Sequence, residues 1–307
     1  MSVTVTVGTY NDPSDKDTKT FYVMPTTRIT VDGRQDVEYY YGEGESSTFQ
    51  IDLSAYADSI QGTLVSVSID GATFETKNYS DNKLELDRNT LKLHYGEQNI
   101  VAQFDRYDSV NENVIGTTIV TIPVLSITWI IDGPWQFKEW YTVANEVAGE
   151  QAGQYAGYFV LGNDIKYDVN VQGLYQAFWN WTEEHNDWQN ADIYGFSGTF
   201  DGRGHTISGL VLEDDNNASI FGVLKEGAVI KNIAFTDYIG GKGSAGLCIS
   251  SKGLIENIYI ECVEHKGGTN ADRLGSFFGL WRAYPEAKVR HLSLIHISEP
   301  TRRSYIS

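Results

Sequence analysis

The stretch FSGTFDGRGHTISGLVL (196–212) begins a series of imperfect repeats that decides the fold of this part of the chain. Each repeat follows a glycine-containing turn and has the pattern Φ-x-x-Φ-x-Φ, where Φ is an apolar residue. The apolar positions are Ile207, Leu210 and Leu212; Ile230, Ile233 and Phe235; Ile255, Ile258 and Ile260; and Val289, Leu292 and Leu294. Because alternate residues of a strand share one face, these side chains are expected to point inward and stack on the next repeat. Repeats of about 20 or more residues are typical of a parallel β-helix, which we predict for residues 150–291.

Polar residues in the turns of these repeats are expected to be structural. In the turn DGRG (201–204) the glycines permit positive φ angles and the aspartate caps the turn. A single carboxylate makes a poor calcium site, since calcium takes about six or more oxygen ligands. Asn232 and Asn257 occupy matching places in VIKNIAF and LIENIYI, so their side chains are expected to hydrogen-bond from one coil to the next. The predicted structural residues are Asp201, Gly202, Gly204, Asn232 and Asn257.

These segments also resemble a known family. FSGTFDGRGHTISGL (196–210), SIFGVL (219–224) and GAVIKNIAF (227–235) resemble the GLUG-type β-helix repeats of bacterial surface proteins, and YFVLGNDI (158–165) resembles the strand before their first coil. A related stretch occurs in the N-terminal region of immunoglobulin A proteases. The resemblance implies a right-handed β-helix in a cell-surface or secreted protein, often one concerned with adhesion.

The resemblance covers about residues 127–291, and the chain departs from it at two places. Residues 166–195 are inserted between Ile165 and Phe196. Arg203 stands in the DGRG turn where asparagine is common in the family.

A short helix is predicted ahead of the repeats, in WQFKEWYTVANEVA (135–148). Its apolar residues fall on one helical stripe: Phe137, Trp140, Tyr141, Ala144, and Val147 or Ala148. Pro134 precedes the helix and Gly149 ends it. A β-helix has an open apolar end that must be covered, so we assign this helix the role of a cap within a linker at 127–149.

An internal repeat indicates the organisation of the N-terminal part. Residues 4–33 and 100–133 both run strand, acidic loop, strand, proline, short strand and Asp-Gly. Pro25 answers to Pro123 at an offset of 98 residues. Since a sandwich domain of immunoglobulin type takes about 100 residues, we expect residues 1–25 to be the last two strands of one domain and 26–126 to be a complete Ig-like β-sandwich.

The complete copy is predicted to contain short strands bounded by turn residues, at 29–31, 37–41, 48–53, 63–70, 91–95, 99–104 and 117–122. In the fourth strand Val65, Val67 and Ile69 alternate with serines, which predicts that the three apolar side chains point into the core. This segment resembles the tandem Ig-like and cadherin-like modules of bacterial surface proteins, which usually act as spacers. The expected fold class is therefore all-β: an Ig-like β-sandwich, then the N-terminal coils of a right-handed parallel β-helix with a short α-helical cap.

Composition excludes some partners. The net charge of -18 disfavours nucleic acid, and no apolar run is long enough for a membrane span. Cys248 and Cys262 form no CxxC pair, so they are expected to be either two free thiols or one disulfide. No cofactor and no metal site is predicted.

The most unusual segment is the aromatic insertion LYQAFWNWTEEHNDWQNADIYG (174–195). Tryptophan faces stack on sugar rings, and neighbouring carboxylates bind hydroxyl groups, so the segment is a candidate contact loop for glycans or host and surface proteins. The candidate binding residues are Tyr175, Trp179, Trp181, Glu183, Asp187 and Trp188. The alternative is that these aromatic residues pack the loop against the first coil.

No catalytic residue is assigned. Glycosidases use a pair of carboxylates, and the candidate carboxylates are Asp192, Asp201, Asp214, Asp215 and Glu256. No basic residue is expected at matching coil positions to complete a lyase site. The HExxH zinc signature of the immunoglobulin A proteases is absent, as is GxSxG.

The last residues, LSLIHISEPTR (292–302), resemble the in-frame translation of a sequencing adapter, a feature typical of metagenomic fragments. The natural sequence is therefore expected to end near His291, with 292–307 a non-native tail, and to begin inside a domain.

Three functions fit these observations. The first is a non-catalytic secreted or cell-surface protein in which spacer modules present a β-helix stalk for adhesion or for glycan or protein binding. The second is a fragment of a carbohydrate-active enzyme or surface protease whose catalytic part lies elsewhere. The third is a phage tail or receptor-binding protein.

Overall fold

The computed structural model describes residues 2–9, 12–22, 24–39, 46–110, 113–137, 139–140, 156–167, 196–210, 220–221, 223–240, 247–265, 278–283 and 288–296. Most of these residues lie in β-strands that form several sheets, which confirms the all-β class. The chain divides into two compact units, Met1–Ser126 and Ile127–Ser307, each with a hydrophobic core of its own. No helix of the described residues is long and apolar enough to span a membrane.

The strands of the N-terminal unit are β1 (Ser2–Thr9), β2 (Asp12–Tyr22), β3 (Thr26–Thr30), β4 (Gln35–Glu38), β5 (Thr48–Asp52), β6 (Thr63–Ile69), β7 (Ala72–Thr73), β8 (Lys77–Ser80), β9 (Lys83–Asp87), β10 (Gly96–Tyr107) and β11 (Val114–Ile127). Two 3-10 helices occur at Ser54–Tyr56 and Asn89–Leu93. β1 and β2 form an antiparallel pair. The other strands form one sheet in the order β3-β11-β10-β6-β7, which β4 joins at β11, and a second in the order β5-β9-β8.

In the larger sheet β10 pairs antiparallel with β11 and with β6, and β6 pairs antiparallel with β7, while β3 runs parallel to β11. Inward-facing residues alternate along β10 and β11, so that Ile100, Phe104 and Val120 are fully buried. They pack with Leu84 and Leu86 of β9 in one core. Alternation with a period of two buries one face of each sheet against the other.

Two sequence predictions for this unit are wrong. Residues 91–95 do not form a strand, because Asn89–Leu93 is a 3-10 helix that leads into β10. Val65 does not point into the core and is 40% exposed. The register shifts by one residue between Gln103 and Phe104, which pair with Ser66 and Leu64, so Val65 is the extra residue of a β-bulge.

The strands of the C-terminal unit are β12 (Trp129–Ile131), β13 (Tyr158–Leu161), β14 (Ile165–Lys166), β15 (Thr199–Asp201), β16 (Thr206–Ser208), β17 (Val223–Leu224), β18 (Val229–Gly240), β19 (Cys248–Ser251), β20 (Leu254–His265), β21 (Phe278–Ala283) and β22 (Lys288–His296). All the strand pairs described for this unit are parallel.

Parallel pairing arranges these strands in three columns. The first column contains β12, β13, β15 and the first residues of β18, β20 and β22. The second column contains β14, β16 and the following parts of β18, β20 and β22. The third column contains β17, β19 and β21. The chain therefore returns repeatedly to the first column, and each such passage through the columns is called a coil.

The predicted register of the repeats is correct from Ile230 onward. Ile230 pairs with Ile255, and Ile255 pairs with Val289; the other apolar positions of these repeats follow in the same register. The register of the first repeat is wrong, because Phe200 lies beside Ile230 and Ile207 lies beside Phe235. The reason is the longer turn that the chain makes between β15 and β16.

A helical segment at 134–137 and 139–140 contributes to the core of the C-terminal unit. Phe137 and Trp140 are fully buried with Phe159 and Phe200 of the first column. The aromatic stripe of the predicted helix therefore packs inward at its two described positions. The remaining residues of that prediction, 141–148, lie outside the described part of the chain.

Candidate functional site

The predicted contact residues cannot be placed on the fold. Residues 168–195 lie outside the described part of the chain, and with them Tyr175, Trp179, Trp181, Glu183, Asp187 and Trp188. The residues on either side are well packed: Tyr167 and Phe196 are buried in the core, and the Tyr167 hydroxyl donates a hydrogen bond to the Pro134 carbonyl oxygen at 3.1 Å. The contact role of the insertion stays a prediction.

The most extensive polar cluster that the structure describes lies at the turns between the first and second columns. The Asn257 amide donates to Asn232 Oδ1 at 2.9 Å, and the Asn232 amide donates to Asp201 Oδ1 at 3.0 Å. We call these three side chains the turn ladder. Both asparagines have left-handed backbone conformations, with φ of 55° and 53°. Asparagine tolerates this conformation better than most residues, which explains why it occupies these turns.

Asp201 at the end of the turn ladder is almost completely enclosed. Its Oδ2 accepts a hydrogen bond from the Tyr158 hydroxyl at 3.0 Å and lies 3.3 Å from Lys231 Nζ. Its Oδ1 also accepts from the backbone N–H of Arg203 at 2.9 Å. Lys231 Nζ lies 5.5 Å from the centre of the Tyr158 ring, a distance suited to a cation–π contact. Each oxygen of the carboxylate therefore has two partners.

This environment fixes the charges of the pair. Burial alone would raise the pKa of Asp201, but hydrogen bonds from Asn232 and the Arg203 N–H, together with the charge of Lys231, lower it overall. For Lys231, burial acts to lower the pKa, but its contacts with Tyr158 and Asp201 raise it. Burial is the main cause of the raised pKa of Tyr158. At neutral pH Asp201 is therefore ionised, Lys231 is protonated and the Tyr158 hydroxyl keeps its proton. Because these protonation states are stable at neutral pH, the cluster is suited to holding the coils together rather than to transferring protons.

The corrected register brings charged residues into one row across the coils. Asp201 pairs with Lys231, Lys231 with Glu256, and Glu256 with Arg290. We call these four residues the charge row; Glu256 and Arg290 approach to 3.9 Å. The expectation that no basic residue occupies a matching position is therefore wrong. Lys231, Glu256 and Arg290 directly follow Ile230, Ile255 and Val289 in the correctly predicted register, and the wrong register of the first repeat concealed only the pairing of Asp201 with Lys231.

Asp164 is a linking residue that the sequence reasoning missed. It lies in the turn before β14, accepts the Thr206 backbone N–H at 2.9 Å and lies 3.2 Å from His205 Nδ1. The hydrogen bond from Thr206, followed by that from His205, lowers the pKa of this carboxyl group. The signal in the sequence was an aspartate directly before Ile165, the apolar residue that begins β14. Asp164 ties two successive coils together.

The other predicted candidates form no second cluster. Asp192, Asp214 and Asp215 lie outside the described residues, as does the side chain of Cys262. Cys248 is a buried free thiol, and burial raises its pKa to about 12. Within the described ranges, no group of three or more His, Cys, Asp or Glu side chains could hold a metal ion.

The pairing of Asp201 makes a testable contribution to stability. Because its folded pKa lies below the ordinary value of 3.8, its contribution is present above that pH and is lost as the pH falls through the folded pKa. We expect an Asp201→Asn variant to be less stable than the wild type at pH 7 and the difference to shrink below about pH 4. Tryptophan fluorescence during urea unfolding measures this selectively, because every tryptophan of the chain lies beyond Ser126.

An Asp164→Asn variant provides a comparison, since Asp164 is much more exposed than Asp201. A pH-independent difference between the wild type and Asp201→Asn would contradict the charged state assigned to Asp201.

Comparisons of the chain with protein-family models, with curated proteins and with solved structures find no significant match.

Proposed function

We propose that the chain is a non-catalytic scaffold of a secreted or cell-surface protein, in which an Ig-like spacer module and a right-handed β-helix stalk serve adhesion by contacting glycans or proteins. The observation that carries this proposal is the self-pairing of the polar groups on the stacked coils. In the turn ladder and in the Asp201–Lys231 pair, each polar side chain binds a polar side chain of the neighbouring coil. Their contacts hold the coils in register.

Strand order supports the Ig-like module. In an immunoglobulin-type sandwich, strands B, E and D share one sheet and strands C, F and G share the other. The order β5-β9-β8 corresponds to the first group, and the order β6-β10-β11 corresponds to the second. β3 would then correspond to the first strand, A, and would lie parallel to the last strand, G, which corresponds to β11.

The three columns of parallel strands support the β-helix. Parallel strands joined by crossover connections are almost always right-handed, which is the basis for the proposed hand. The apolar residues Ile230, Ile255 and Phe235 are buried between the columns, while Lys231 and Glu256 beside them are partly exposed. A stack of this kind gains stability from each added coil and suits an extended stalk.

We assign ligand binding to the aromatic insertion. Segment 174–195 combines tryptophans with acidic and amide side chains, the composition of a carbohydrate-contacting surface. It lies in the chain between Tyr167 and Phe196, both of which are buried.

A glycan array with the purified chain tests the binding part of the proposal. We expect binding by the wild type, and about a tenfold weaker signal from a Trp179→Ala/Trp181→Ala variant, since aromatic stacking contacts contribute about 0.5–1.5 kcal/mol each. The melting temperature of the variant should equal that of the wild type. A large loss of melting temperature would instead show that the two tryptophans pack against the first coil, and retained binding would exclude them as the contact.

Turnover of the bound glycan tests the non-catalytic part. We expect no new reducing ends and no unsaturated products when the wild type is incubated with the glycans it binds. Product formation that is abolished by Glu256→Gln would contradict the scaffold and favour an enzyme.

An enzyme fragment is the second candidate because the charge row places carboxylates and cations on one side of the first column. A lyase needs a basic group that accepts a proton, and Lys231 is unsuited to this because its raised pKa keeps it protonated at neutral pH. Arg290 is the most exposed member of the row, with 58% of its side chain exposed, whereas Lys231 and Glu256 are 29% and 27% exposed.

A further inference from the structure

Trp135 is a large aromatic side chain that does not take part in the core. It is 74% exposed, and within the described part of the chain no hydrogen bond or ring contact engages it. Phe137 of the same helical segment is fully buried. Because residues two apart in a helix lie on nearly opposite sides, Trp135 points away from the core that Phe137 enters. Tryptophan is strongly enriched among the residues that dominate binding surfaces, so an uncovered one marks a candidate contact.

The backbone that carries Trp135 is fixed on both sides. The Gln136 side chain accepts the Asp132 backbone N–H at 2.6 Å, which holds the start of the helical segment against the turn after β12. The buried Tyr167 donates from its hydroxyl to the Pro134 carbonyl oxygen at 3.1 Å. A tryptophan has few rotatable bonds, so one that stands on a fixed turn loses little conformational freedom when a ligand stacks on it.

Exposed polar side chains lie on the turns beside Trp135. Asp132 precedes Trp135 by three residues, so their Cα atoms are at most about 11 Å apart. Asn163, on the next coil, donates from its amide to Asp132 Oδ1 at 3.3 Å. Asp164 follows Asn163, and its side chain is 75% exposed and lies 3.2 Å from His205 Nδ1. We call Asp132, Trp135, Asn163 and Asp164 the exposed turn surface.

The exposed turn surface differs from the turn ladder in its unused hydrogen-bonding capacity. Each carboxylate oxygen of Asp201 has two partners, and Asp201 is nearly buried. By contrast, Asp132 Oδ2 and Asn163 Oδ1 have no partner among the described residues, and both side chains are exposed. These atoms can therefore bind an incoming polar group without giving up a contact that holds the coils together.

An aromatic face beside a few open polar groups matches an uncharged sugar. The indole can stack on the apolar face of a sugar ring, while carboxylate and amide oxygens accept hydrogen bonds from its hydroxyl groups. The Asn163 amide can also donate to a hydroxyl oxygen, which a cationic peptide side chain could not use. The carboxylates of Asp132 and Asp164 disfavour sialic acids and uronic acids, because like charges repel.

We propose that the exposed turn surface is a second contact site, which binds an uncharged oligosaccharide by stacking on Trp135. The inference rests on the proposed adhesive function and adds to it a site on the turns of the coils, apart from the insertion 174–195. A cationic peptide segment is the competing ligand.

A glycan array that carries uncharged, sialylated and uronate-containing oligosaccharides tests the site with the full chain. We expect the wild type to bind uncharged glycans, and Trp135→Ala to weaken this binding about fivefold through the loss of one stacking contact. Trp135→Phe should weaken it less than about twofold, because a ring remains. Tyr107→Ala is the control: it removes another exposed aromatic side chain, 46% exposed in the N-terminal unit, and should leave binding unchanged.

The possible failures separate this site from the proposed function. Equal binding by the wild type and Trp135→Ala, with binding lost in Trp179→Ala/Trp181→Ala, would overturn the second site alone. Absence of glycan binding by the wild type would overturn both the second site and the glycan contact of the insertion. A lower melting temperature of Trp135→Ala would show a packing role, and weaker binding of hexaarginine with unchanged glycan binding would assign the surface to a cationic peptide. Either result would also overturn the proposal.

Discussion

Replacement of Trp140 by alanine is expected to lower the free energy of unfolding of the C-terminal unit by about 3–5 kcal/mol, the usual cost of removing a buried tryptophan. Trp140 is fully buried, and its ring centre lies 5.0 Å from that of Phe200 and 5.7 Å from that of Phe159. It also contacts Phe137 and Phe221, so its loss leaves a cavity among aromatic side chains that cannot easily collapse.

Trp135→Ala is the matched control, since Trp135 belongs to the same helical segment but is 74% exposed. We expect it to change the free energy of unfolding by less than about 0.5 kcal/mol. Urea unfolding followed by the remaining tryptophans measures both variants. Similar effects of the two substitutions would mean that the helical segment does not seal the aromatic core.

The repeats of the C-terminal unit could be predicted because the physical constraint is local and periodic. Each of Ile230, Ile255 and Val289 starts the same apolar pattern, and a strand shifted by one residue would expose its apolar face. The same pattern fits Ile207 equally well, and nothing in composition distinguishes Ile207 from Phe200 as the start of the preceding repeat. Only the path of the turn decides that Phe200 is the neighbour of Ile230.

The neighbours of Asp201 in the candidate site depended on that single choice. With Ile207 aligned to Ile230, Asp201 has no charged neighbour, and a turn-capping role is all that can be inferred for it. With Phe200 in that place, Asp201 meets Lys231 and joins the row that Lys231, Glu256 and Arg290 already form in the aligned repeats. The stacking of Asn232 on Asn257 was predictable because both lie in the aligned repeats.

In the N-terminal unit, local patterns failed where neighbouring strands decide the outcome. The alternation of Val65, Val67 and Ile69 is regular, but the bulge opposite Gln103 and Phe104 turns Val65 outward. Residues 91–95 have the composition of a strand, yet Asn89–Leu93 is a 3-10 helix in which only Leu91 is buried. Neither the bulge nor this helix has a signature within its own segment.

Replacement of Gly202 by alanine is expected to destabilise the C-terminal unit by about 3 kcal/mol, because the turn between β15 and β16 has no room for a methyl group. A Cβ atom at this position would lie 2.5 Å from the Asn232 carbonyl oxygen and 2.5 Å from Ile233 Cβ. Both atoms belong to the next coil and neither is the end of a flexible side chain. The Gly202 N–H also donates to the Lys231 carbonyl oxygen at 2.9 Å, so the turn cannot move away without losing a hydrogen bond between coils.

Gly133→Ala is the control for this substitution, since a Cβ atom there meets nothing within 4 Å and the backbone has no left-handed φ. Gly204→Ala separates contact from conformation, because Gly204 also has open space but a φ of +86°. We expect no loss for Gly133→Ala, about 1 kcal/mol for Gly204→Ala and the largest loss for Gly202→Ala, measured by urea unfolding with tryptophan fluorescence. This order follows only if the DGRG turn is pressed against Asn232 and Ile233, so an equal loss at Gly202 and Gly204 would contradict the register of Phe200 beside Ile230.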